Sequence, residues 1–325
     1  MGKFDNITKV YNDEKDVVYR PIDPESASEL QNVDEHFFCQ WSIENGMTYR
    51  PATKTVSTLP PGRYITNRDN YGFKLTKQKV SDSELIRFPN TVADAIISEF
   101  ESFWEKKDEY LKRGEPHKRG FVLWGPAGGG KTSTVQLIVK NFIANNGVVF
   151  DFSFDTVEAL NSFRLVEANR KMMVIIEDID IFVEHGDMEQ RLLLFLDGGV
   201  QHKNTVMIAT TNYPEDLPDR IINRPSRFDR ISYLGATTEE ERLEYFKQKC
   251  QTTPESVYKK WVKATEDWTF AHIKELIISV EVNSLPYKET LVRLNHMRSK
   301  KSSSSDYEKE MRGKAGYGFG KQDNC

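Results

Sequence analysis

The sequence predicts an α/β protein: a parallel sheet flanked by helices, preceded by an α+β region and followed by a small helical domain. Three observations carry this expectation. Five short apolar runs recur between residues 121 and 234, separated by helix-compatible segments. A glycine-rich loop ending in Lys131-Thr132 joins the first run to a helix. Beyond Gly235 apolar residues keep a helical spacing and no further strand pattern occurs.

Residues 1–83 are polar and turn-rich, and we take them as the N-terminal α+β region. Within it, "TLPPGRYIT" and "YGFKLTKQKV" read as short strands around the turn "NRDN". Tyr64, Phe73, Leu75 and Val80 are candidates for a small core, and the aromatic run His36–Trp41 for core or interface. Residues 84–118 form a helical linker. Val92, Ile96, Ile97, Phe100, Phe103, Trp104 and Leu111 recur at helical spacing, and Gly114 with Pro116 ends the run.

Residues 119–234 make the main domain. Its strands are "FVLW" (Phe121–Trp124), "VVFDF" (Val148–Phe152), "MMVII" (Met172–Ile176), "TVMIATT" (Thr205–Thr211) and "ISYL" (Ile231–Leu234). Continuous apolar runs of this length suit parallel strands covered on both faces. Residues 235–297 follow as a helical lid. "TTEEERLEYFKQK" opens with a capping box, either Thr237 with Glu240 or Thr238 with Glu241, and "TPESVYKKWVKA" offers Thr253 as N-cap before Pro254. The serine-, glycine- and charge-rich residues 298–325 read as a disordered tail.

Composition narrows the function classes. A formal net charge of -4 gives no electrostatic case for general nucleic-acid binding. The 3 cysteines (Cys39, Cys250 and Cys325) are scattered, which argues against a disulfide framework or a zinc site. No apolar run approaches the ~20 residues that span a bilayer. The first residues lack a signal-peptide core, and Asn6 stands where a myristoylation pattern needs Ser or Thr. These features predict a cytoplasmic protein.

The chemistry starts at "GPAGGGKT", Gly125 to Thr132. Glycines let the backbone curl so that successive amides face one anion at a helix N-terminus. Lys131 then reaches the β- and γ-phosphates, and the Thr132 hydroxyl suits a Mg²⁺ ligand. A glycine-rich turn serving only tight packing would account for Gly128–Gly130 but not for Lys131-Thr132 in register with Gly125. Gly125, Pro126, Ala127, Gly128, Gly129, Gly130, Lys131, Thr132 and Ser133 are therefore the candidate residues for binding a nucleotide.

"VIIEDID", Val174–Asp180, runs a buried strand into adjacent acids. Glu177 and Asp178 repel one another unless a cation offsets them. Two solvated acids at a strand end are ordinary in isolation. Downstream of a phosphate loop, they suit a site where Mg²⁺ and Lys131 supply the positive charge.

These motifs in order resemble an AAA+ ATPase of the AAA clade, over about Glu84 to Val282. "GPAGGGKT" resembles its Walker A motif and "VIIEDID" its Walker B, with Glu-Asp where most relatives have Asp-Glu. "TTN", ending at Asn212, resembles sensor 1, and "RPSRFDR", Arg224–Arg230, the segment that carries the arginine fingers. "FWEKKDEYLKRGEPHKRGFVLWGPAGGGKTS" is similar to the Bcs-type subgroup, relatives of the mitochondrial Rieske-protein translocase, although no transmembrane segment is evident here. No aromatic-glycine pore loop is evident between the second strand and Walker B.

The resemblance implies a P-loop NTPase fold with a helical lid, ATP and Mg²⁺ as cofactors, and catalytic roles for Lys131, Glu177, Asp178, Asn212, Arg224 and Arg227. Thr132 and Glu177 would hold Mg²⁺, Glu177 through water. Asp178 would polarise the attacking water and Asn212 orient it. Arg224 and Arg227 would reach the neighbouring subunit of a homo-oligomer, a hexamer. His117 is a further guess for the adenine side, and Ala271 for a small residue near the base. The implied activity is ATP hydrolysis coupled to remodelling or translocating a protein partner. The alternatives are a nucleic-acid-directed motor, whose only basic candidates are "KLTKQK" and "RSKKSSSS", and a nucleotide-gated scaffold without turnover.

Overall fold

A computed structural model describes residues 55–69, 72–80, 85–184, 186–198, 203–224 and 226–299, together with four strands nearer the N-terminus. Residues 36–39 of the aromatic run and residues 300–325 of the expected tail lie outside the described residues. The chain divides into two compact units, Met1–Pro60 and Pro61–Cys325. In the first, β1 (Ile7–Tyr11) pairs antiparallel with β2 (Val17–Pro21), and β3 (Gln40–Glu44) with β4 (Thr48–Ala52).

The second unit is built on a seven-stranded sheet. Its strands are β5 (Gly62–Asp69), β6 (Gly72–Gln78), β7 (Lys118–Trp124), β8 (Val148–Asp151), β9 (Met172–Ile176), β10 (Thr205–Thr211) and β11 (Arg230–Tyr233), in the order β11-β7-β10-β9-β8-β5-β6. All neighbours are parallel except β5 and β6. Every residue of β9 and β10 is buried, as expected of central strands with helices on both faces.

The β5–β6 hairpin does not enclose a core of its own. β5 pairs with β8 from Gly62↔Val148 to Tyr64↔Phe150, and Tyr64, 3% exposed, sets its ring 6.3 Å from Phe150. Alternation along the hairpin marks one face as buried, yet it does not say which sheet edge supplies the partner. The chain's contacts divide at Pro60–Pro61, which leaves this hairpin in the second unit.

Helix α1 (Val92–Glu105) starts where the Thr91 hydroxyl accepts the Asp94 amide, and it buries Ile96, Ile97, Phe100 and Phe103. These pack with Val135, Ile138 and Phe142 of α3 (Lys131–Ala144). The backbone breaks at Lys106 before α2 (Lys107–Lys112), so the apolar phase is lost and Leu111 is exposed, as is Val92 at the other end. α4 (Thr156–Val166), α5 (Gly186–Leu196) and the short α6 (Asp219–Ile222) complete the layers.

The lid comprises α7 (Glu239–Lys249), α8 (Glu255–Ala264), α9 (Phe270–Ile277) running into a π-helical turn, and α10 (Tyr287–Ser299). Phe246, Trp261, Trp268, Ile273 and Leu276 form its core. Thr238 with Glu241 makes the capping box. Thr253 does not cap α8; Pro254 takes that position, and the amides of Gln251, Thr252 and Thr253 donate to Glu281.

Candidate nucleotide site

β7 ends at Trp124 and the chain turns through a loop that only glycine follows easily. Gly125, Gly128 and Gly130 have φ of 144°, 79° and 97°. A Cβ on Gly125 would strike the Leu234 carbonyl oxygen, and one on Gly128 the Ala271 Cβ. The loop is thus wedged between the end of β11 and the start of α9. Gly130 precedes α3 with no side-chain cap, which leaves first-turn amides for an anion.

Lys131, 7% exposed, donates from Nζ to the Gly125 carbonyl (2.6 Å), the Pro126 carbonyl (3.0 Å) and Asn212 Oδ1 (2.6 Å). Burial lowers its pKa, while the charges of Asp178 and Asp180 oppose that shift. Asn212 follows β10, whose pairing with β7 runs Thr205↔Lys118 to Thr211↔Trp124. That register brings the loop lysine and Asn212 together.

The two acids after β9 part company. Asp178 has a left-handed backbone, φ 47°, and its amide donates to Thr210 Oγ1 at 3.2 Å. Its side chain lines the same cleft as Lys131, Thr132, Ser133 and Asn212. Glu177 is not part of that lining. Its half-exposed carboxylate accepts from Arg63 Nη2 at 3.1 Å, and Arg63 Nε is 2.8 Å from Asp151 Oδ1. Asp180, in the 3-10 turn that follows, accepts from Thr211 Oγ1 at 2.5 Å.

The cleft, of about 1060 Å³, runs from Ala127–Thr134 to the lid. Three aromatic rings close its lid side. Phe88, just before α1, stacks on Phe270 of α9 at 5.1 Å and 13°, and Tyr245 of α7 lies 5.4 Å from Phe270. Ala271 packs on the loop itself, its amide 3.4 Å from the Gly128 carbonyl oxygen. His117 is not near the cleft. It sits before the first residue of β7, 2% exposed, stacked 4.0 Å from Phe103 and hydrogen-bonded to Asn204 Oδ1 and the Phe103 carbonyl. It is a structural residue of the core's far end.

The arginines also separate. Arg227 is 4% exposed and grips Asp197, whereas Arg224 is 58% exposed and touches Asp197 at 3.4 Å. The structure therefore gathers Lys131, Thr132, Ser133, Asp178 and Asn212 at one cleft, and leaves Glu177, Arg224 and Arg227 off its wall. Sequence reasoning missed Arg63, Asp180, Thr210 and the three rings. Only Asp180, the second aspartate of "EDID", left a local signal.

Residues 121–236 match the family described as ATPase family associated with various cellular activities (AAA). They form an AAA ATPase domain. The chain is 24% identical over 272 residues to "Protein HYPER-SENSITIVITY-RELATED 4" of Arabidopsis thaliana, covering 76% of this chain and 44% of that protein. It is 27% identical over 241 residues to "Probable mitochondrial chaperone bcs1" of Schizosaccharomyces pombe, covering 68% and 51%. A third relative, "Probable mitochondrial chaperone BCS1-B" of Dictyostelium discoideum, is 23% identical over 250 residues, covering 64% and 53%. The chain thus spans about half the length of these curated relatives. Among the described residues, no helix of this chain is long and apolar enough to cross a membrane.

Proposed function

We propose that the chain binds and hydrolyses ATP at this cleft, working in the cytoplasm as a homo-oligomeric ring, a hexamer, that remodels or translocates a protein partner. The observation that supports nucleotide chemistry most directly is the meeting of Lys131, Asp178 and Asn212 at the phosphate loop. Likeness to proteins named mitochondrial chaperones supports the protein-partner reading.

The donor set fits Mg²⁺. Among the described residues no cluster of three His, Cys, Asp or Glu side chains forms a self-sufficient metal cage. Mg²⁺ ordinarily takes one or two protein oxygens and completes its shell with phosphates and water. Thr132 and Glu177 would hold it, and when bound it neutralises charge on the β- and γ-phosphate oxygens. Lys131 exchanges its carbonyl and Asn212 partners for phosphate oxygens. Asp178 takes a proton from the attacking water, and Asn212, freed from Lys131, orients that water. Arg224, which is exposed, acts from the neighbouring subunit, while Arg227, buried on Asp197, holds the segment that carries it.

Titration with a fluorescent ATP analogue tests the reading. Lys131→Ala removes the cation aimed at the phosphates and abolishes binding; affinity equal to wild type would overturn the assignment.

A further inference from the structure

The geometry points to Arg63 as a positioning residue that holds the Glu177 carboxylate off the metal side of the cleft and so sets the metal requirement of the site. This rests on the reading of Glu177 as a metal-side acid.

Arg63 is the second residue of β5, a strand outside the stretch that matches the AAA family. β5 and β9 are separated by β8, two inter-strand steps or roughly 10 Å. Only a long side chain crosses that distance. Arg63 crosses it by anchoring on the intervening strand: its Nε forks both Asp151 oxygens at 2.8 and 3.0 Å, which aims Nη2 at Glu177 Oε1, 3.1 Å away. Arginine suits this task because its donors have fixed relative directions.

One guanidinium thus serves two carboxylates, and Asp151 has the closer share. Glu177 is held by a single hydrogen bond with its side chain 49% exposed. Such a contact is strong enough to choose a rotamer and weak enough to be exchanged. A divalent cation at the phosphate loop competes with Arg63 for the same carboxylate. Asp178 does not take part, because its left-handed backbone turns it to the cleft.

Metal binding is read directly by electron paramagnetic resonance with Mn²⁺ and ATP, in a chain carrying Asp178→Asn so that the nucleotide persists. Arg63→Gln lowers the half-saturating Mn²⁺ concentration by about three- to five-fold, the scale of a half-exposed ion pair. Arg63→Lys, which keeps the charge but loses the fork, lowers it less. With Glu177→Gln also present, Arg63→Gln has no effect. An unchanged Mn²⁺ titration in folded Arg63→Gln, or the same shift without the Glu177 carboxylate, overturns the inference. If Arg63→Gln does not fold, Arg63→Lys decides by the same two criteria. Failure of the unsubstituted chain to bind ATP overturns the nucleotide reading as well, whereas normal ATP binding with an unmoved metal titration overturns this inference alone.

Discussion

Arg227 holds the Asp197 carboxylate in a two-pronged grip, Nε to Oδ1 at 2.7 Å and Nη2 to Oδ2 at 2.5 Å, while its Nη1 donates to the Arg220 carbonyl. The adjoining backbone is equally constrained: a Cβ on Gly120 of β7 would strike the Arg227 carbonyl oxygen. Arg227 therefore ties the segment before β11 to the sheet. Arg227→Ala leaves Asp197 without its main partner and destabilises the chain by about 1.5–3 kcal/mol, the usual range for hydrogen bonds to charged groups. Arg224→Ala, at an exposed position, stays within about 0.5 kcal/mol of wild type. Urea unfolding midpoints separate the two variants.

The same pair gives stability a pH dependence. The Arg227 hydrogen bonds hold the Asp197 carboxyl below its ordinary value, outweighing the opposing effect of burial. A depressed folded-state pKa contributes stability that is present above the unfolded value of about 3.9 and lost as pH falls through the folded one. Asp197→Asn is therefore less stable than wild type above about pH 5, and the gap narrows below about pH 4. Thermal unfolding from pH 2 to 7 reads this directly, and a constant gap would remove the linkage.

Hydrolysis depends on assembly if the exposed Arg224 completes a neighbour's site. Specific activity then rises steeply with protein concentration. Arg224→Ala binds ATP normally and loses about 10³-fold or more in turnover, as arginines placed on the transferring phosphoryl group do. Mixing it with Lys131→Ala restores part of the activity, because each variant breaks a different half of the shared site. Turnover independent of concentration, with Arg224→Ala unimpaired, would place the arginine's action elsewhere.

The divergent placement of the acid pair separates two variants that resemble each other chemically. Asp178→Asn keeps ATP affinity and stops turnover, since an amide does not take the proton from water. Glu177→Gln raises the Mg²⁺ concentration needed for half-maximal rate and also lowers the rate at saturation. Steady-state kinetics across a Mg²⁺ series distinguish them. Normal turnover in Asp178→Asn together with a metal-independent loss in Glu177→Gln would reverse the two roles.

Much of this protein is written locally. The buried strands Met172–Ile176 and Thr205–Thr211 coincide with their apolar runs because a strand covered on both faces admits little else. The phosphate loop is equally legible: three backbone turns that demand glycine, followed by Lys131-Thr132, leave a mark no packing motif needs. What was hidden depended on partners far away in sequence. The hairpin Gly62–Gln78 announces two strands and one buried face, but its place at the sheet edge is decided by β8, more than eighty residues on. Glu177 and Asp178 are neighbours in the chain, and only the left-handed turn at Asp178 and the reach of Arg63 send them to different surroundings. The arginines of "RPSRFDR" look alike in sequence; one is buried on Asp197 and the other stands in solvent. Backbone conformations and continuous burial are imposed residue by residue, so a single sequence carries them. The direction of a charged side chain is set by whichever distant charge the fold brings within reach, and that is decided only when the strands have been ordered.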